Sequence, residues 1–311
     1  MNKLIRESFF LPIRWRRYSL FASVIALSLL ISTPSHSDET IDLFQDSLAY
    51  ADLSLAAYKT KDEAEIIVEH NGYFLSFYKL IPGVEVQVLV VTDELNKRQV
   101  IAIRGTSNVE NVLVNAAFQL LLNQGTKIKL HEGFGQAADV VWSEIKPVLK
   151  NDYEISTTGH SLGGGIALIL AMYLDQNSYN VGKVVTFGQP KITNVQGAAM
   201  YRHIDLTRFV TPLDLVPLVP PLDMVDLNKL DIYWHLGQEV VLIDEKKVAF
   251  LEGISSMIRA TRILDKKISE ENVQAHGMDV YRQHIINNSK NVEQIEYDAG
   301  ASLKSLMGRF F

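Results

Sequence analysis

The chain has 311 residues, 47% of them hydrophobic and 21% charged, which suits one or two globular domains with a large core. It contains no cysteine, and this excludes disulfides, thiolate metal sites, a cysteine nucleophile and a lipidated N-terminal cysteine. The formal charge is −6, and it becomes −10 once five basic residues and one acidic residue within positions 1–37 are discounted, so neither nucleic acid nor anionic lipid is an electrostatic partner.

Lys3, Arg6, Arg14, Arg16 and Arg17 precede the apolar run from Tyr18 to Ile31 and the small-residue site Ser35-His36-Ser37. That order is the pattern of a secretory signal peptide with cleavage after Ser37. The apolar run, about 14 residues, falls short of the roughly 20 that span a bilayer, so residues 1–37 are expected to be removed, with an uncleaved anchor as the alternative. The product is expected to be periplasmic or secreted. No repeat, low-complexity segment or Pro/Gly/Ser linker interrupts residues 38–300, which predicts a single domain over 38–311.

Leu48 to Tyr58 read as a helix, and Val84–Val91 and Gln99–Arg104 as strands paired around the polar turn "TDELNKR". In "SNVENVLVNAAFQLLLN", residues 107–123, the polar Ser107, Asn111, Asn115, Gln119 and Asn123 recur every four residues. The spacing predicts a helix with one narrow polar stripe and apolar residues elsewhere, Leu113, Phe118 and Leu121 among them. Gln136–Leu149 read as an amphipathic helix, Asp152–Thr158 as a buried strand, and Leu162, Ile166, Leu168, Leu170 and Ala171 as a helix packed on its neighbours. Further strands are expected at Lys183–Phe187, Arg208–Thr211 and Tyr233–Ile243, while Glu239–Gln274 is rich in charge and helix-like. The tail from Asp298 to Phe311 is expected to pack on the body or touch a membrane. Strand and helix alternate through the middle of the chain, which predicts an α/β fold with a mostly parallel central sheet and helices on both faces.

Gly159-His160-Ser161-Leu162-Gly163 has the spacing G-x-S-x-G between a predicted strand and a predicted helix. An abrupt strand-to-helix turn strains the serine backbone and requires glycine two positions before and two after it. The helix amides from Leu162 onward then sit where an oxyanion would form. Serine is a weak nucleophile at neutral pH, so Ser161 needs a histidine base oriented by a carboxylate, in the chain order serine, acid, histidine. Downstream lie His203, His235, His276 and His284, with Asp205, Asp214, Asp223, Asp226, Asp231, Asp265 and Asp279 as acids. Asp214 stands out because it ends the strand "RFVTPLD" before the prolines of "LVPLVPP". Position alone leaves both His276 and His235 open as the base. Arg104 reads as one half of a buried pair at a strand end, and His131 as a packing and hydrogen-bonding residue. No cluster has metal-ligand spacing, and the chemistry calls for no cofactor.

The segments "IAIRGTSNVEN", "LHEGF", "TTGHSLGGGIALILA", "VVTFGQPKITN", "VTPLDLVPLVPP", "YWHLGQE" and "AHGMDVYR" resemble, in that order, the signature segments of the class 3 lipases, the fungal-type triacylglycerol lipase family of the α/β-hydrolase superfamily. The resemblance runs from about Leu48 to Tyr281. It implies an α/β-hydrolase fold with Ser161 as nucleophile, Asp214 as acid and His276 as base, His276 to Tyr281 matching an H-x-x-x-Y-like segment approximately. It further implies an oxyanion hole from the amides of Thr106 and Leu162, a place near the site for His235, and a mobile lid over residues 107–123. "PKITN" departs from the family's more usual "PRVGN". The expected activity is hydrolysis of lipid carboxylic esters through an acyl-enzyme, with phospholipase, lysophospholipase or soluble-ester esterase activity as alternatives and a catalytically silent binding protein as the rival from another class. The expected partner is a lipid or other ester at a lipid–water interface; no protein partner is inferable.

Overall fold

The central strands carry apolar residues on both sides of the pleat, as a sheet covered on both faces requires. In β2 (Val86–Asp93) and β3 (Arg98–Ile103), Val88, Val90, Ile101 and Ile103 enter one core, while their neighbours Leu89, Val91, Val100 and Ala102 enter another. This period-two division is legible only once the strands are placed, because Val88–Val91 and Val100–Ile103 are apolar throughout.

The computed structural model describes residues 36–106, 119–221, 231–260 and 269–297, all within one compact unit, residues 35–311. The predicted signal segment before His36, the 298–311 tail and residues 107–118 of the proposed lid lie outside the described residues. Nine strands form the main sheet: β1 (Phe74–Ile81), β2, β3, β6 (Glu154–His160), β7 (Asn180–Phe187), β9 (Leu206–Val210), β11 (Gln238–Leu242), β12 (Lys247–Leu251) and β13 (Glu293–Gln294), in that spatial order. The run β3-β6-β7-β9-β11 is parallel throughout. At one end β2 is antiparallel to β3 and β1 is antiparallel to β2, and at the other β12 is antiparallel to β11. A small antiparallel sheet of β10 (Tyr233–Trp234), β8 (Thr193–Asn194), β5 (Lys129–His131) and β4 (Leu120–Leu122) lies apart from it.

Helices cover both faces. On one side are α3 (Glu132–Ile145) and α4 (Leu162–Gln176), whose Ile166, Ala167, Leu168, Ile169 and Leu170 are all fully buried, as a helix apolar on every side must be. On the other are α1 (His36–Ala56), α2 (Lys61–His70) and α8 (Met278–Asn288), with Phe44, Phe187, Phe209, Tyr281 and Ile285 between helix and sheet. Three shorter helices, α5 (Val195–Met200), α6 (Gly253–Ala260) and α7 (Glu270–Ala275), complete the described α-helices.

The expected fold class is observed, with three local corrections. Tyr233–Ile243 is two strands in different sheets, with His235 in the link between them. The Glu239–Gln274 interval is not helical at its start: Glu239–Leu251 lies in the β11–β12 hairpin, with Asp244–Lys246 in its exposed turn and Val240, Val241, Leu242, Val248 and Ala249 buried, and helix appears among the described residues only from α6 onward. Leu120–Leu122 is a strand paired with Lys129–His131, so the helix expected over 107–123 does not reach that end.

Candidate active site

Ser161 stands between the last residue of β6 and the first of α4, at φ 58° and ψ −130°. A residue bearing a Cβ is strained there, typically by about 1–3 kcal/mol, and the turn tolerates it because its flanks give way. A Cβ on Gly159 would lie 2.4 Å from the Gly163 carbonyl oxygen, and one on Gly163 would lie 2.3 Å from that of Ile103. Both glycines of G-x-S-x-G are thus steric necessities. The Ser161 amide donates to the Phe187 carbonyl at 2.9 Å, which ties the turn to the end of β7.

Asp214 follows β9 and is completely buried. Its Oδ1 accepts the Val216 amide at 2.8 Å, and its Oδ2 accepts His276 Nδ1–H at 2.7 Å and the Tyr281 hydroxyl at 2.5 Å. His276 is delivered by α7, which Ser269 and Asn272 cap reciprocally, and α8 begins just after it. Because Nδ1 carries the proton toward the carboxylate, Nε2 of the neutral ring is an acceptor. Neither that Nε2 nor Ser161 Oγ has a hydrogen-bond partner among the described residues, and both atoms are buried.

The residue before the nucleophile joins the parts. His160 Nε2 lies 2.6 Å from the His276 carbonyl oxygen, which can only accept, so Nε2 bears the hydrogen. Its Nδ1, 2.7 Å from the Tyr58 hydroxyl, therefore accepts from it, and the Tyr58 oxygen accepts the Gly105 amide at 3.1 Å. Burial, and then the neighbouring His276, hold His160 well below the usual imidazole range, which keeps this relay neutral. A Cβ on Gly105 would lie 2.5 Å from the His160 carbonyl oxygen and 2.7 Å from Ser161 Cβ, so the chain leading into Thr106 runs directly against the serine turn.

The structure thus brings Ser161, Asp214, His276, His160 and the Gly105–Thr106 segment together, with Leu162 in the first turn of α4, where an amide has no intrahelical acceptor. Of the proposed lid residues, Asn111, Leu113 and Phe118 lie outside the described residues; Leu121 is in β4 and partly exposed. Asp223, Asp226 and Asp265 also lie outside them. His203 and His284 are on the surface. His235 is buried with Nε2–H donated to the Pro217 carbonyl at 2.7 Å, and burial together with Arg208 and Lys191 holds it well below its ordinary range. His131 stacks on Phe134 at 4.3 Å, and burial brings it down to about 4. Arg104 does not form the expected buried pair: it is half-exposed and donates to the Glu85 carbonyl at 3.0 Å, since the end of β3 borders a turn backbone there. Sequence reasoning missed Tyr58, Tyr281 and Asn272. Only the placement of Tyr281 shortly after His276 hinted at its role.

Residues 100–224 match the family model described as Lipase (class 3). Among curated relatives, a secreted mono- and diacylglycerol lipase of Fusarium solani is 31% identical over 112 residues, 34% of this chain and 33% of that one. The chain therefore spans about a third of the length of this relative. The fold resembles the solved triacylglyceride lipase of Rhizomucor miehei, with a TM-score of 0.57, 22% identity and coverage of 65% of this chain and 81% of that one. It also resembles a triacylglycerol lipase whose catalytic centre is formed by a serine protease triad, with a TM-score of 0.51, 20% identity and coverage of 68% and 83%.

Proposed function

We propose that this chain, which belongs to the class 3 lipase family through residues 100–224, hydrolyses carboxylic esters of lipids through an acyl-enzyme formed on Ser161. The observation that carries the proposal is the buried pair of Asp214 and His276, whose Nε2 has no partner among the described residues, joined through His160 to a serine on a strained strand–helix turn. His276 Nε2 takes the hydroxyl proton as Ser161 Oγ attacks the ester carbonyl, and Asp214 stabilises the imidazolium. The amides of Thr106 and Leu162 hold the oxyanion. The alcohol leaves with the proton from His276, and water, deprotonated by the same nitrogen, then releases the fatty acid and restores Ser161.

Mono- and diacylglycerol lipase among the relatives favours acylglycerol substrates. The test is hydrolysis of p-nitrophenyl esters of graded chain length beside acylglycerol and phospholipid emulsions, with Ser161→Ala as control. Loss of Ser161 is expected to lower turnover by roughly three orders of magnitude or more with an unchanged circular dichroism spectrum. Retention of a tenth of the activity would remove Ser161 from the mechanism, and turnover confined to short soluble esters would make the protein an esterase.

Export is part of the proposal, supported by the basic and apolar start of the chain and by a secreted relative. Among the described residues no helix is long and apolar enough to cross a membrane. Intact mass is expected to place the mature N-terminus within two residues of Asp38; retention of Met1 on membrane-bound protein would establish an anchor instead.

A further inference from the structure

Behind the loop that follows Asp214 lies a cluster of buried charge that the proposed reaction does not use. Arg208 on β9 contacts Glu239 on β11 at 3.2 Å and donates to the Leu236 carbonyl, and Arg259 of α6 and Ser256 bond the same carboxylate. Beside them, Lys191 is 1% exposed. Its Nζ donates to the carbonyls of Leu218 at 2.5 Å and Pro220 at 2.7 Å, and its backbone amide donates to the Val219 carbonyl at 2.9 Å. One residue thus binds three successive carbonyls of the acid-bearing loop. His235 holds a fourth, that of Pro217, and Asn272 holds Leu213 just before the acid at 2.7 Å.

The short 3-10 turn Val216–Leu218 lies between these pins and the site. Its first amide, that of Val216, donates to Asp214 Oδ1, which leaves Oδ2 to His276 and Tyr281. The orientation of the carboxylate therefore depends on where the turn sits. Resting on the triad proposed above, we propose that Lys191 is a positioning residue for the acid: by holding the carbonyls of Leu218 and Pro220 it fixes the turn whose Val216 amide aims Asp214 at His276.

The donor count agrees. Burial, reinforced by Arg259 and Arg208 and opposed by Glu239, brings Lys191 down to about 7. A neutral amine has two N–H groups, and two carbonyl acceptors are in place; an ammonium would carry a third. This is also the lysine of "PKITN", where the sequence departs from the family's more usual arginine.

The experiment is a double-mutant cycle with Asp214→Asn on a soluble short-chain ester. Lys191→Met keeps the length and apolar character of the side chain and removes its donors, so kcat is expected to fall about tenfold with KM within twofold, and Lys191→Arg to recover most of the loss. In the Asp214→Asn background Lys191→Met is expected to cost nothing further, a signature that general loosening of the fold would not give. Should Lys191→Met not fold, Lys191→Gln, which keeps one donor group, takes its place in the same cycle. A folded single variant with kcat within twofold of the parent, or an equal loss in both backgrounds, overturns the inference. If Asp214→Asn alone costs nothing, the acid assignment fails, and the positioning role falls with it.

Discussion

Two buried imidazoles, His276 and His235, differ in the acceptor that each one finds. His276 donates to a carboxylate, which in the proposed reaction would stabilise an imidazolium, whereas His235 donates to the Pro217 carbonyl and its burial, with the Arg208 guanidinium nearby, opposes a charge on the ring. His276→Ala is therefore expected to behave like the serine variant, with a loss of roughly a thousandfold or more in kcat/KM. His235→Ala is expected to retain activity within about tenfold and to lose about 1–3 kcal/mol of stability, because a buried carbonyl is left unbonded. Steady-state kinetics beside urea unfolding of both variants checks this, and the reverse ranking would make His235 the base. At this scale the sequence pointed to Ser161 and singled out Asp214. It left two histidines open, because the difference between them is the group each ring faces across 62 positions of chain in one case and 18 in the other.

The strand–turn–helix element was legible because its steric demand is local: Gly159 and Gly163 are needed by backbone within a few ångströms of them. β1 was not, because a register shift between Leu75 and Phe77 breaks the alternation that marks a strand. The apolar segment after Thr106 stands between these cases. Ser161 and His276 are 0% and 1% exposed, so in the proposed reaction an ester would reach them only if some covering element moved. The proposed lid remains residues 107–123, with its last strand-forming residues anchored to β5. Hydrolysis of a dispersed ester is expected to rise sharply above its solubility limit, and Leu113→Asp combined with Leu121→Asp to flatten the rise while hydrolysis of a short soluble ester survives. A folded double variant with the rise unchanged would show that there is no lid in this segment; failure of the variant to fold would show that the segment is core.

For the molecule as a whole, the buried lysine makes stability depend on pH. In the unfolded chain Lys191 keeps its proton up to about 10.4, whereas in the fold, facing Arg208, Arg259, Glu239 and His235, it releases the proton near about 7. Between those values the unfolded state binds more protons, so this group's contribution rises with pH, is complete above about 10.4 and is lost as pH falls to about 7. Relative to Lys191→Met, the parent protein is expected to gain stability from pH 7 toward 10 with a slope approaching about 1.4 kcal/mol per pH unit, measured by urea unfolding. A difference that does not change with pH would mean that the lysine stays charged inside the fold.

The sequence by itself determined the α/β class, the sites of most central strands and the strand–helix turn that carries the proposed nucleophile, and it holds no thiol, because periodicity, glycine sterics and residue chemistry act over a few neighbours. Only the tertiary structure decided which histidine meets Asp214, that Tyr281 shares the same carboxylate oxygen, and that Tyr58 and His160 join Gly105 to His276. It also decided that Lys191 spends its donors on the acid loop. Each of these is a hydrogen bond between residues far apart in the chain. A buried donor takes whichever acceptor the packed elements bring within about 3 Å, and nothing in the spacing of residues along the sequence fixes that choice.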